Sequence, residues 1–141
     1  MARRKKRSGT ALDWQEAPDI QERVDRMVFS LKPQWLNKGK IHCFRSTNSS
    51  SRAYARIWGL SKIWQIALSQ KPSYVIEVLS EKFDRLKVKE QEEVLLHELA
   101  HIPKNFSGSL LPHVRKRGKR NFNDRVRQLI NQYKKDIKLR E

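Results

Sequence analysis

The sequence predicts a single α+β domain in which a short sheet, mixed or antiparallel, packs beside one central helix. Residues 73–79 are rich in β-branched and aromatic side chains, as strands are. Residues 14–31 and 122–138 place apolar side chains at three- and four-residue steps, which is typical of amphipathic helices. Residues 89–103 combine good helix formers with an apolar run, which predicts a helix packed into the core. At 141 residues, 38% of them apolar, the chain suffices for one such domain.

The N-terminal part predicts a basic arm followed by a helix. Residues 1–12 are expected to be a disordered arm, because blocks of like charge usually are, and the domain is expected to span 13–138. The first helix is predicted over residues 14–31, with Pro18 near its start and Pro33 after its end. The arm carries the cations Arg3, Arg4, Lys5, Lys6 and Arg7.

The middle of the chain predicts two strands before the one at 73–79. Residues 40–46 and 53–58 are the candidates, and a polar loop at 46–52 joins them. The hydroxyls of this loop and Arg45 or Arg52 could contact substrate or phosphate, or the loop is simply a solvated connector. Residues 61–68 fit either a short helix or another strand. Trp58 and Trp64 are predicted to be core residues, although either could line a substrate groove.

The stretch from His97 to His101 carries the clearest chemistry. Two histidines four residues apart lie on one face of a helix, so their imidazoles can bind one metal ion. Glu98 lies beside them and can act as a base toward water, which is the content of the H-E-x-x-H motif. A surface helix with two histidines would show the same five residues, but the apolar run before the motif favours a packed helix. Pro103 is predicted to end that helix.

A third ligand is expected because a catalytic zinc takes three protein ligands and keeps one open position. The histidine six residues after the motif that metzincins use is replaced here by Ser107. His113 is the favoured candidate, since a proline and a glycine between it and the motif let the chain turn back. Asp124 is the rival candidate.

These residues together resemble a known family, the metallopeptidases of phages and archaea, which is similar to the SprT-like zinc peptidases. The resemblance implies a small zincin fold with one catalytic Zn²⁺. It also implies that His97, His101 and His113 bind the zinc and that Glu98 is the catalytic acid and base. It covers about residues 18–135 and rests on the stretches 51–60, 74–78, 80–84 and 97–108, with His113 following.

The expected function is zinc-dependent hydrolysis of peptide bonds in a protein or peptide substrate. Tyr54, Tyr74, Arg115 or a loop amide could stabilise the oxyanion. The chain has no cysteines for the zinc ribbon that many SprT-like proteins carry, so a DNA-binding role of that ribbon is not implied.

The charge of the chain supports an alternative function, a nucleic-acid-binding module with a structural or vestigial metal site. The net charge is +16 and the pI is near 10.4, and such a field attracts polyanions. The two functions also combine in a protease that acts near DNA or RNA. Besides the N-terminal arm, the expected contacts are Arg115, Lys116, Arg117, Lys119 and Arg120.

The remaining expectations concern the compartment. Cys43 is the one cysteine, which excludes a disulfide within the chain and fits a reducing environment. No apolar segment follows the basic N-terminus, and no apolar run approaches the length of a membrane span. A cytoplasmic protein without a membrane partner is therefore expected.

Overall fold

The computed structural model describes residues 11–31, 34–113 and 121–140, and it confirms the α+β prediction. A single 3₁₀ turn, Gln34–Asn37, precedes the second strand. The elements in chain order are β1 (Asp13–Glu16), α1 (Pro18–Leu31), β2 (Lys40–Thr47), β3 (Ala55–Gly59), α2 (Lys62–Leu68), β4 (Ser73–Leu79), α3 (Ser80–Phe83), α4 (Val88–Leu99) and α5 (Phe122–Arg140).

The four strands form one mixed sheet in the order β1-β2-β4-β3. The pair β2 and β4 is parallel, and the two outer pairs are antiparallel. Strands β1 and β3 are therefore the two edges of the sheet, as far as the chain is described. Strand β3 leaves one row of backbone N–H and C=O groups without a strand partner.

The sheet has two unlike faces, because successive side chains of a strand point to opposite sides. We call the apolar side the covered face; it packs against α1 and α4, which α5 contacts in turn. It carries Ile41, Cys43, Ala55, Ile76 and Val78. We call the other side the open face; it carries Trp14, Phe44, Arg56, Trp58 and Glu77. Trp14 and Trp58 on the open face are 53% and 49% exposed.

The start of the first helix differs from the prediction. Residues 13–16 form β1, which pairs with β2 from Asp13 opposite Thr47 to Glu16 opposite Phe44, and α1 begins at Pro18. The strand forms because β2 offers a backbone partner there, a contact that local periodicity does not reveal. The apolar stripe predicted for the helix is confirmed, since Ile20, Val24, Met27 and Leu31 are buried.

The region 61–68 is the helix α2, and it is almost wholly exposed. The prediction that Trp58 and Trp64 are core residues is wrong, because Trp64 is 56% exposed and Trp58 lies on the open face. The inward residue of α2 is Gln65, whose buried amide donates hydrogen bonds to the carbonyls of Leu60 at 2.7 Å and Ser107 at 2.8 Å. A polar anchor thus holds α2 while its apolar side chains face solvent.

Two further expectations concern a membrane span and the basic segments of the chain. Within the described ranges, no helix has both the length and the apolar character needed to cross a bilayer. The arm of residues 1–10 and the cations from Arg115 to Arg120 lie outside the described residues, so their predicted nucleic-acid contacts stay predictions.

Candidate metal centre

Helix α4 places the motif at the edge of the core. Its N-terminus is capped by Glu90, whose side chain accepts the backbone N–H of Lys87 at 3.0 Å. Leu95, Leu96 and Leu99 are buried in the core. Their packing fixes the rotation of α4, so that His97 and Glu98 line a cleft beside the helix.

The helix ends earlier than Pro103, which the sequence predicts as its end. The α-helix proper stops at Leu99, and the next turn is tighter. The N–H of His101 bonds the carbonyl of Glu98 at 3.1 Å, and the N–H of Ile102 bonds that of Leu99 at 3.1 Å. Such three-residue bonds are common where a helix ends. His101 therefore lies in this turn and still faces His97.

A loop carries the chain from this turn back to the metal centre. Gly108 has a φ of 98°, and a Cβ on it would lie 2.2 Å from the carbonyl oxygen of Leu60, so glycine is required there. The Tyr74 hydroxyl accepts the N–H of Gly108 and donates to the carbonyl of Ser109, both at 2.8 Å. Leu111 then donates its N–H to the carbonyl of His101 at 2.7 Å.

The loop brings His113 to the two histidines of the motif. The Nε2 atom of His113 lies 2.9 Å from that of His101 and 3.3 Å from that of His97. Three nitrogens bound tetrahedrally to zinc at about 2.0–2.1 Å would be separated by about 3.3 Å. Two of the three nitrogen pairs therefore have about the spacing of ligands on one metal ion, and all three nitrogens lie within 4.8 Å of one another.

The carbonyl of Leu111 orients one of the ligands. It contacts Nδ1 of His101, so that nitrogen carries the proton and Nε2 is free to bind metal. Metal-binding histidines commonly donate their second ring nitrogen in this way. The contact fixes both the tautomer and the ring direction of His101.

Burial sets the protonation of the site. It lowers the pKa of His97 to about 4, helped by the neighbouring imidazoles, and it lowers the pKa of His101. Both rings are therefore neutral at pH 7, the form that binds metal. Burial raises the pKa of Glu98 to about 8, since its carboxyl group is removed from water. A carboxyl group tuned in this way can both accept and donate a proton near neutral pH.

The cleft beside α4 has a volume of about 600 Å³. Edge strand β3 and the residues before it form one wall, and helix α5 contributes apolar side chains. The residues that line the cleft include Tyr54, Ala55, His97, Glu98, His113 and Val126. The cleft therefore joins the edge of the sheet to the three histidines.

Two other candidates for the chemistry are engaged elsewhere. Asp124, the rival third ligand, accepts the backbone N–H of Asn121 at 3.3 Å and lies outside the histidine cluster. Tyr74, a candidate oxyanion donor, is buried and holds the loop through Gly108 and Ser109. Arg115 lies outside the described residues.

Arg45 is likewise engaged in the structure rather than available to substrate. Its guanidinium pairs with Asp19 at 2.7 Å and with Asp84 at 2.8 Å, and it donates to the hydroxyl of Ser80 at 3.2 Å. The hydrogen bond and charge of Arg45 hold the pKa of Asp19 below its usual value. Arg45 therefore ties α1 and α3 to β2.

Two residues of the site were not predicted from the sequence, and both belong to α5. The ring of Phe122 lies against all three imidazoles, with centroid distances of 5.1, 4.3 and 4.8 Å to His97, His101 and His113. Arg125 donates to the carbonyls of Ala100 at 2.7 Å and Ile102 at 2.8 Å. Helix α5 thus secures the turn that carries His101.

The comparisons with known proteins identify a family for the chain. No curated protein and no solved structure matches the chain. A family described as "Putative phage metallopeptidase" matches residues 12–137, which include Glu98 and the three histidines. This confirms the family predicted from the sequence, while the likeness to SprT-like peptidases stays a prediction. The chain belongs to this phage metallopeptidase family.

Proposed function

We propose that the protein is a zinc-dependent metallopeptidase with His97, His101 and His113 as ligands and Glu98 as the catalytic acid and base. The convergence of three imidazole nitrogens, all within 4.8 Å of one another, carries this proposal. Neutral imidazole suits Zn²⁺. The cluster in the described residues offers three ligand atoms, which leaves a fourth position for the reaction, whereas a structural zinc is usually closed by a fourth protein ligand.

The mechanism assigns the proton transfers to Glu98. Zinc, when bound, supplies a Lewis acid that polarises the scissile carbonyl and lowers the pKa of water. Glu98 takes a proton from the attacking water and delivers it to the leaving amine. Tyr54 lines the same cleft, and its hydroxyl is the donor that we assign to the developing oxyanion.

The edge strand β3 offers a binding place for an extended substrate. Tyr54 and Leu60 hydrogen-bond to β4, through Leu79 at 2.9 Å and Ser73 at 3.1 Å. In an antiparallel pair, every second residue directs its backbone N–H and C=O to the partner strand. Because the even-numbered Tyr54 and Leu60 bond β4, the odd-numbered residues between them, such as Ile57, direct their backbone groups to the free edge of the sheet. A peptide added there as a further strand would run into the cleft.

The test is zinc analysis combined with peptide hydrolysis on purified protein. We expect one zinc per chain, lost in His97→Ala and in His113→Ala. Glu98→Gln should keep the zinc and lower kcat by about 10²–10⁴-fold, the usual contribution of a general acid-base group. Glu93→Gln is the matched control, since Glu93 also lines the cleft and should be dispensable. A folded wild type without zinc, or full activity of Glu98→Gln, would contradict the proposal.

The setting of the activity is a second part of the proposal. The net charge of +16 favours action near nucleic acid through the two basic ends, on proteins bound there. The single buried thiol of Cys43 fits the reducing cytoplasm. The rival function, nucleic-acid binding with a vestigial metal site, predicts a folded protein whose nucleic-acid affinity survives while zinc and hydrolysis are absent.

A further inference from the structure

Three aromatic residues of the open face lie on one diagonal across the sheet. Trp14 of β1 is paired with Ser46, two residues along β2 from Phe44. Phe44 lies opposite Glu77 of β4, and Glu77 lies opposite Arg56, two residues before Trp58. From the usual strand spacing and rise, Trp14 and Phe44 are about 8 Å apart, and Phe44 and Trp58 are about 12 Å apart.

The ring of Trp58 is held in place by its neighbours. Its Nε1 donates to one oxygen of Glu77 at 2.9 Å, and Arg56 pairs with the other oxygen at 3.1 Å. The guanidinium of Arg56 also lies 5.2 Å from the centroid of the Trp58 ring. Trp58 is nevertheless 49% exposed, so an oriented aromatic surface faces solvent.

Cations and acids balance on the strands of the open face, whereas the chain as a whole has a net charge of +16. Residues 26–76 include all of β2 and β3 and contain nine Lys and Arg residues without a single Asp or Glu. On the open face, Glu77 is 1% exposed and already paired with Arg56, which leaves Glu16 as the other acid of the face. Lys40 and His42 are exposed on the same side of β2.

We propose that the open face binds single-stranded nucleic acid, with Trp14, Phe44 and Trp58 as stacking platforms for bases and Lys40 beside the phosphates. Sheets that bind single strands stack two or three bases on aromatic side chains of one face, and cations follow the backbone. A protein partner would favour α2 instead, where Ile63 and Ile66 are 69% and 67% exposed. The proposal is independent of the peptidase activity, because it concerns the opposite side of the sheet.

The test is fluorescence anisotropy of a labelled oligothymidylate of about 15 nucleotides with the full chain, metal-loaded and metal-free. Trp14→Ala and Trp58→Ala should each raise Kd about five-fold or more, the lower end of the cost of one lost stack. Trp64→Ala is the matched control, because Trp64 is 56% exposed but lies on α2, and it should change Kd less than about two-fold.

A salt series separates the stacking from the charge contacts. Lys40→Gln should lower the slope of log K against log salt by about one, whereas Trp14→Ala should leave the slope unchanged. A duplex of the same length should bind more weakly, since its bases are not free to stack on side chains. Thermal unfolding shows whether each variant folds. If Trp58→Ala does not fold, the Kd of Trp14→Ala alone tests the proposal, because Trp14 lies on an edge strand.

Several results would overturn the proposal. One is wild-type affinity in Trp14→Ala and Trp58→Ala while replacement of Arg3–Arg7 by glutamine abolishes binding, which would assign the binding to the arm. Another is an equal loss in Trp64→Ala, which would point to apolar contacts of α2. Duplex binding as tight as single-strand binding, or no binding at low salt, would also contradict it.

Discussion

The two faces of the sheet use the same four strands in different ways. The covered face buries aliphatic side chains such as Ile76 and Val78 beneath the helices. The open face buries a carboxylate, Glu77, beneath Arg56 and Trp58. Burial of apolar area stabilises the covered face, whereas charged hydrogen bonds satisfy the buried carboxylate of the open face. Strand β4 contributes residues to both faces, because successive side chains of a strand point to opposite sides.

The covered face is linked to the metal centre, whereas the open face is not linked to it by the contacts described here. Tyr74 reaches from the covered side of β4 to the loop that carries His113, so packing on that side determines the geometry of the metal centre. The open face has no such link among the contacts described above. We therefore expect substitutions on the open face to leave zinc binding unchanged.

The largest effect should come from a substitution on the covered face. Ile76 is fully buried, so Ile76→Ala should lower the free energy of unfolding by about 3–4 kcal/mol through lost transfer energy and a cavity. Val75 is the matched control, because it is the preceding residue of β4 and is half-buried on the open face. Val75→Ala should cost about 1 kcal/mol or less in urea unfolding. Equal losses would show that both faces pack alike.

The next effect should come from the buried carboxylate of the open face. Glu77→Gln keeps the shape but removes the charge, and we expect a loss of about 1.5–3 kcal/mol, reduced by the one-third exposure of Arg56. Glu16→Gln, on the exposed acid of the same face, should change stability by less than about 0.5 kcal/mol.

The same variant makes a prediction about pH. Burial raises the pKa of Glu77, but the hydrogen bonds from Arg56 and Trp58 and the positive charge of Arg56 outweigh it, so the pKa lies below the usual 4.5. The unfolded chain then binds the proton more readily than the folded one. The stabilisation is complete above about pH 4.5 and is lost as pH falls through the folded pKa. Glu77→Gln should therefore flatten acid unfolding, and an unchanged acid limb would contradict the assignment.

The sequence predicts the fold where local pattern decides it. The strand 73–79 agrees with β4, because a run of β-branched residues needs no distant partner to be recognised. Strand β1 was missed because it forms through pairing of Trp14 and its neighbours with β2, about 30 residues away. The exposure of Trp58 was missed because residue type does not reveal which face of a sheet lacks a covering layer. The exposure of Trp64 was missed because α2 turns a polar residue, Gln65, inward instead of its apolar ones.

The metal centre, too, could be predicted only where local sequence pattern decides the structure. The four-residue spacing across the end of α4 and the turn after it brings His97 and His101 together, and Gly108 permits the return of the chain to His113, as the sequence suggested. The roles of Phe122 and Arg125 rest on contacts with α4 and its turn, more than 20 residues earlier in the chain. An arginine or phenylalanine in an amphipathic helix carries no local signal of such contacts.

The last prediction changes stability least and compares the faces at adjacent positions of β2. Burial on the covered face raises the pKa of Cys43 to about 12, so almost none of this thiol is ionised at pH 8. His42 is the neighbouring residue and is exposed on the open face. The thiol introduced by His42→Cys should react with a disulfide reagent about 10³-fold faster than Cys43, from the difference in thiolate fraction alone. If both thiols of the folded variant react rapidly, the covered face is open to solvent and the prediction is wrong. As a control, the two thiols should react at equal rates in denaturant.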